Sequence, residues 1–244
     1  MITPFTLPSN PSIQVSLREA TVADAIDFAD VDERHEEELA TLFLTRMQEG
    51  AVHDPKKWTG EDRRFALYWY WLHTAKDHDV ALTYQCDHCG ESHTCLQDFR
   101  KLAEAYTPID GPAERSGNWR GEKFTVKPLT GANLEALERM KTDVDLLGKG
   151  LASMRIESLI LSVAFGGKNR KETHQRIVAM SLDEFAEFAE LATGMRAEMK
   201  HGLDGEYEDG RFYLLIPAHD CPAKEGAKTR LRYPFRNNDY IPGL

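Results

Sequence analysis

The stretch QCDHCGESHTC, residues 85–95, gathers three of the four cysteines and two of the nine histidines of a 244-residue chain. Its Cys86-x-x-Cys89-Gly90 spacing is that of a zinc knuckle, in which two thiolates leave one tight turn and the glycine lets the backbone swing beneath an ion. The flanking segments, DVALTYQ and HTCLQDF, read as two strands joined by that turn. A structural zinc takes four ligands, so two more are needed. A local set adds His93 and Cys95; a ribbon-like set adds His219 and Cys221 from a second hairpin near the C-terminus. A strand advances about 3.3 Å per residue, so the local set requires residues 91–95 to curl back. The ribbon set keeps both hairpins regular, yet Lys224 stands where a second C-x-x-C would place a cysteine. Both sets stay open, beside the plainer reading of His93 and Cys95 as one half-buried strand face.

Outward from the knuckle, the order of elements repeats. Ile13, Val15 and Leu17 alternate as a strand, Thr21 opens a helix, and two further helices follow before the first hairpin. Residues 107–122 (TPIDGPAERSGNWRGE) are turn-rich and mark a boundary. KFTVKPLT (123–130) then alternates like the first strand. GANLEALERMKT and GKGLASMRIESLILSVAF read as helices, the second ended by Gly166 and Gly167. Ser181 and Glu184 form a capping box before a long helix stopped by Gly202, and GRFYLLIP, a turn and TRLRYPF close the chain as a second hairpin. The expectation is an α+β protein of two similar halves, 12–106 and 123–232, each strand–helices–hairpin. A linker (107–122) separates them, extended arms (1–11 and 233–244) flank them, and the hairpins join in a zinc-ribbon-like unit.

Composition narrows the function. A formal charge of −10 argues against nucleic acid or anionic membrane as the main partner. The longest apolar run, residues 159–165, is far short of a membrane span. The N-terminus lacks the basic and apolar regions of a signal peptide, so the expected compartment is the cytoplasm, where a C-x-x-C is more often metal-binding or catalytic than a disulfide. A redox dithiol would sit at a helix start, but here a glycine and a polar strand follow Cys89. No H-E-x-x-H, G-x-S-x-G, P-loop or dinucleotide fingerprint is present. DERHEEE (32–38) reads as a solvated helix face rather than a catalytic carboxylate cluster. The expectation is therefore a non-enzyme with a structural zinc; a zinc or dithiol enzyme is the rival. ALYWYWLH (66–73) sends aromatics in every direction around one helix, so Trp69 and Trp71 are candidate partner contacts. The arms carry Phe5, Leu7, Phe235, Tyr240, Ile241 and Leu244, which suit docking on a neighbour.

Three segments resemble one family. The opening, FTLPSNPSIQVSLREATVADAIDFADV, is similar to the start of small tail-assembly and baseplate proteins of tailed bacteriophages, with an LPS segment, an R-x-x-T strand end and an acidic helix. YQCDHCGESHTCLQDF resembles the C-x-x-C-G hairpin of the T-even-type baseplate protein family, and HDCPAKEGAKTRLRYPFRNNDYIPGL resembles its closing knuckle, strand and tail. The resemblance implies a non-enzymatic hub or wedge component, or an assembly chaperone absent from the finished particle. Its partners would be other tail and baseplate proteins in a hetero-oligomeric assembly. It would be built in the host cytoplasm and located in the virion. The family's first knuckle maps onto Cys86 and Cys89, and the start of its second onto Cys221.

Overall fold

The computed structural model describes residues 1–29, 32–142, 150–208 and 211–242. Leu244 and the first residues of the helix expected from 148 lie outside these. The fold is α+β, with helices packed around small antiparallel sheets. β1 (Phe5–Leu7) and β2 (Asn10–Val15) form an N-terminal hairpin. Helices α1 (Val22–Ala29), α2 (Glu36–Met47) and α3 (Gly60–Thr74) follow, then the hairpin β3 (Asp79–Gln85) and β4 (Ser92–Asp98), and the short α4 (Arg100–Glu104). β5 (Arg115–Trp119), β6 (Glu122–Val126) and β7 (Val163–Phe165) make a three-stranded sheet with α5 (Gly131–Thr142), α6 (Gly150–Ser162), α7 (Arg170–Val178) and α8 (Leu182–Ala197). The chain closes with the sheet of β8 (Gly205–Glu208), β9 (Arg211–Asp220) and β10 (Lys228–Pro234), and a 3-10 turn at Asn237–Tyr240.

The hydrophobic cores divide the chain differently from two successive halves. One core runs from Ile2 to Ala103 and resumes from Leu203 to Tyr240; the other lies wholly within Ile109 to Met199. The second unit is thus inserted into the first. The chain leaves at Thr107 and returns at Gly202, where the two residues exchange backbone hydrogen bonds of 2.9 and 2.7 Å. Gly202 has φ +78°, and a Cβ there would stand 3.2 Å from the Glu61 backbone oxygen, so the glycine serves both the turn and the close approach. The LPS turn braces the same junction. Leu7 is buried, the Pro8 carbonyl accepts from Ile109 N–H at 2.8 Å, and Ser9 N–H donates to Asp62 at 2.8 Å. Asp62 also closes the Thr59 capping box of α3. Residues 163–165, expected as the end of a helix, form β7 instead. Phe165 pairs with Phe124 on β6, and both pack on Phe188, so tertiary contacts override local preference. The expected linker likewise contains β5.

Aromatics on every side of α3 are accommodated because the rest of the first unit wraps it. Phe5 of β1 lies 6.0 Å from Trp69, Phe43 of α2 lies 4.9 Å from Tyr70, and Tyr240 lies 5.8 Å from Trp71, as ring centroids. Phe5, Leu7, Phe235 and Tyr240 are buried; Trp69, Trp71 and Ile241 are partly buried against the same core. The side chains offered to a partner by the sequence are therefore engaged within the chain, because one helix ringed with aromatics needs cover from both termini. Removing residues 1–11 and 233–244 takes away five buried apolar side chains, Ile2, Phe5, Leu7, Phe235 and Tyr240. At roughly 2 kcal/mol each, the loss rivals the whole stability of an ordinary domain, about 5–15 kcal/mol. The truncated chain is expected to lose its cooperative urea transition; an unchanged midpoint would contradict this packing.

A charged joint fastens the inserted unit to α2 and α3. Arg63, with its side chain 2% exposed, pairs with Glu37 at 3.1 Å and donates to Thr41 Oγ1 at 2.7 Å. Thr41 in turn donates to Glu135 of α5 at 2.6 Å, and Lys56 pairs with the same carboxylate at 3.0 Å. Glu138 accepts from the backbone N–H of Glu37 and Glu38, capping α2 from a different helix. The acidic run at 32–38 is thus only in part a solvated face: Asp32 pairs locally with the exposed Arg34, but Glu37 and Glu38 meet Arg63 and Arg139, which are remote in sequence. Gly131 opens α5 by this joint, and a Cβ there would stand 2.1 Å from Arg63 Nη1 and 2.6 Å from the Pro55 carbonyl. Gly131→Ala is expected to cost about 1–3 kcal/mol through this overlap, read as a lowered urea midpoint; unchanged stability would show that Arg63 is free to move.

Candidate metal centre

Two turns bring the ligands together. In the first, Gly90 N–H donates to the Cys86 carbonyl at 2.8 Å and Cys86 N–H to the Glu91 carbonyl at 2.9 Å, with Gly90 at φ +75°. In the second, Lys224 N–H donates to the Cys221 carbonyl at 3.3 Å and Cys221 N–H to the Ala227 carbonyl at 2.7 Å, with Gly226 at φ +74°. Both turns close on a cysteine N–H and carry a left-handed glycine, but the second is one residue longer; Lys224 follows Cys221 at the spacing by which Cys89 follows Cys86. They also touch: His88 Nε2–H donates to the Lys228 carbonyl at 3.0 Å, and the Thr229 hydroxyl lies 3.3 Å from Cys86 Sγ.

Cys86, Cys89, His93 and Cys221 converge, with their donor atoms all within 4.8 Å of one another. Cys86 and Cys221 are buried, and Cys89 and His93 half-buried. Cys89 Sγ lies 3.2 Å from His93 Nε2. The set takes one member from each alternative left open by the sequence: His93 from the local set and Cys221 from the ribbon set. Strand geometry explains the choice. His93 is the second residue of β4, opposite Tyr84, so its long side chain still reaches the knuckle. Cys95 is on the same face two residues further on, opposite Leu82, roughly 6.6 Å along the strand; it is half-buried and packs against the first core. His219, opposite Thr229 on β9, also stands outside the four.

The electrostatics suit a cation. Cys86 is pulled down to about 6 by the Thr229 hydroxyl and then by the His88 and Cys89 backbone N–H groups, with Cys221 adding to these against the opposing effect of burial. At Cys89 the Glu91 N–H pulls down, but burial and the sulfurs of Cys221 and Cys86 push the thiol up. One thiolate is stabilised and its neighbour is penalised, as expected when like charges share a site. A divalent ion removes the penalty and holds all three sulfurs as thiolates. The metal-free chain should then show a signed pH dependence. The depressed Cys86 contributes stability that is present above the ordinary thiol value, near 9, and is lost as pH falls towards about 6. The raised Cys89 contributes stability that is lost as pH rises beyond 9. Urea midpoints of the chelated protein are expected to rise from pH 6 to 9 and fall above it. A flat profile would mean that the turns do not bias these thiols.

Spacing alone identified the first knuckle, and duplication pointed to Cys221. What the sequence left undetermined was the mixed ligand set, because it depends on how far one hairpin advances before the other crosses it. His88 and Thr229, which join the hairpins, carry no motif. No helix among the described residues is long and apolar enough to cross a membrane. No protein-family model, curated protein or solved structure matches the chain.

Proposed function

We propose that the chain is a non-enzymatic structural component of a bacteriophage tail baseplate, in its hub or wedge region, held in shape by a zinc staple. The observation that carries the reading is the convergence of three thiols and one imidazole from turns more than a hundred residues apart in sequence. Zinc is the ion suited to a compact sulfur-rich, four-ligand set. Four protein ligands fill a tetrahedral zinc and leave no position for an activated water, so the ion acts on folding rather than chemistry. It would tie the β3–β4 hairpin to the β9–β10 hairpin, joining the two stretches of the first unit that flank the inserted one in sequence.

The assignment to a baseplate rests on the family resemblance, and the resembling segments have structural tasks here. The LPS turn braces the junction between units. In the R-x-x-T segment, Arg18 binds Asp24 at 2.7 Å while Thr21 N–H donates to the same carboxylate at 2.8 Å, fixing the start of α1. Both cysteine turns supply the centre. Neighbouring subunits would meet outer surfaces rather than the arms. Mass spectrometry of finished particles of a phage encoding the chain tests the assignment. Its peptides are expected at fixed stoichiometry with other baseplate proteins. Peptides present in assembling cells but missing from finished particles would identify an assembly chaperone instead. Normal baseplates formed without the chain would refute both.

A further inference from the structure

His219 is a half-buried imidazole whose ring lies beside Tyr84. Its Nε2 is buried and has no hydrogen-bond partner among the described residues, an arrangement that costs free energy unless something fills it. Its position is pointed. It is the last residue but one of β9, two residues before Cys221, which opens the turn just past the end of the strand. It pairs across the ladder with Thr229, whose hydroxyl contacts Cys86 Sγ. The Tyr84 ring has an imidazole on each hairpin as a neighbour, His93 at 5.9 Å and His219 at 6.4 Å between centroids.

We propose that His219 is a reserve ligand of the metal centre, able to take the place of His93. The first hairpin supplies three of the four ligands and the second only Cys221. Exchange of one imidazole for the other turns this three-plus-one set into two-plus-two, Cys86 and Cys89 with His219 and Cys221. All three sulfurs stay bound, so neither the charge nor the donor types change. The exchange gives the ion a fourth ligand whenever His93 leaves, and so slows its escape while the hairpins remain in contact.

This inference rests on the metal-staple reading, and cobalt(II) binding to the full-length chain separates the two. The wild type is expected to show thiolate charge-transfer and tetrahedral d–d absorption. In His93→Ala these bands are expected to persist, with affinity within about tenfold of wild type. The His93→Ala/His219→Ala double variant is expected to bind about a hundredfold or more weakly, the scale on which supporting groups matter at metal sites. A single variant no better than the double overturns the reserve role and leaves the staple standing; a wild type that binds no cobalt overturns both. His219→Ala alone keeps all four ligands, so it serves as a second test that does not depend on how His93→Ala folds. It is expected to speed loss of the ion to a chelator at least about threefold, and equal rates would overturn the role.

Discussion

Cys221→Ser is expected to empty the metal centre and lower the thermal midpoint by about 10 °C. Cys221 is 5% exposed and is the one member of the ligand set that comes from the second turn. A serine hydroxyl is a poor substitute for a thiolate at a sulfur-rich site. The energy lost is folding energy, because the unfolded chain does not hold together two turns whose cysteines, Cys89 and Cys221, are 132 residues apart. An ion present at a thousand times its dissociation constant contributes about 4 kcal/mol, and each kcal/mol is about 2–4 °C in a chain of this size. The two hydrophobic cores remain, so the variant should still unfold cooperatively. A chelator provides the control: it is expected to bring the wild type down to the variant and to leave the variant where it is. A variant that keeps one ion and the wild-type midpoint would remove Cys221 from the centre.

Arg63→Ala should be about as damaging by a route that involves no metal. Arg63 is held against α2 by Glu37 and Thr41, and Thr41 passes the contact to Glu135 of α5, whose side chain is 3% exposed. Removing one partner from such a network leaves carboxylates with less countercharge in a desolvated place, a change worth about 3–5 kcal/mol. Filling the space matters as well, since the long stem of Arg63 packs beneath Gly131. Arg63→Met combined with Glu135→Gln removes both charges and keeps most of the volume, so its cost should fall well below the sum of the two single changes. Chemical denaturation of all four proteins reads this directly. Additive losses would mean that the two side chains act independently.

What the sequence disclosed and what it withheld follow from the range of the interactions involved. Capping boxes are local, and Ser181 with Glu184 sits where the residue types place it. The knuckle is local too: Cys86 through Gly90 forms the tight turn that its spacing requires. Both hairpins are present, so the α+β class was legible. The nesting of one unit inside the other was not. The duplicated order of elements suggested consecutive halves, but the second hairpin packs with the first unit's core through Leu214, Ile216 and Leu231. Nothing local in residues 203–235 names that partner. Gly202 was legible as a helix stop, but its partner Thr107 was not, because the junction is made through backbone groups. The terminal segments read as free arms because each is apolar yet irregular, and what they cover is an α3 that has more aromatic surface than a single helix face can bury. At the centre, the choice of His93 over Cys95 turned on one pleat of β4.

X-ray absorption at the zinc edge of the metal-loaded, full-length protein tests the central claim most directly, because it counts the atoms bound to the ion. The mixed set of Cys86, Cys89, His93 and Cys221 predicts three sulfur neighbours at about 2.3 Å and one nitrogen at about 2.0–2.1 Å, with imidazole scattering beyond. In Cys221→Ser the three-sulfur shell should be absent. Four sulfurs, a shell dominated by nitrogen and oxygen, or a three-sulfur shell that survives in Cys221→Ser would contradict a centre shared between the two turns.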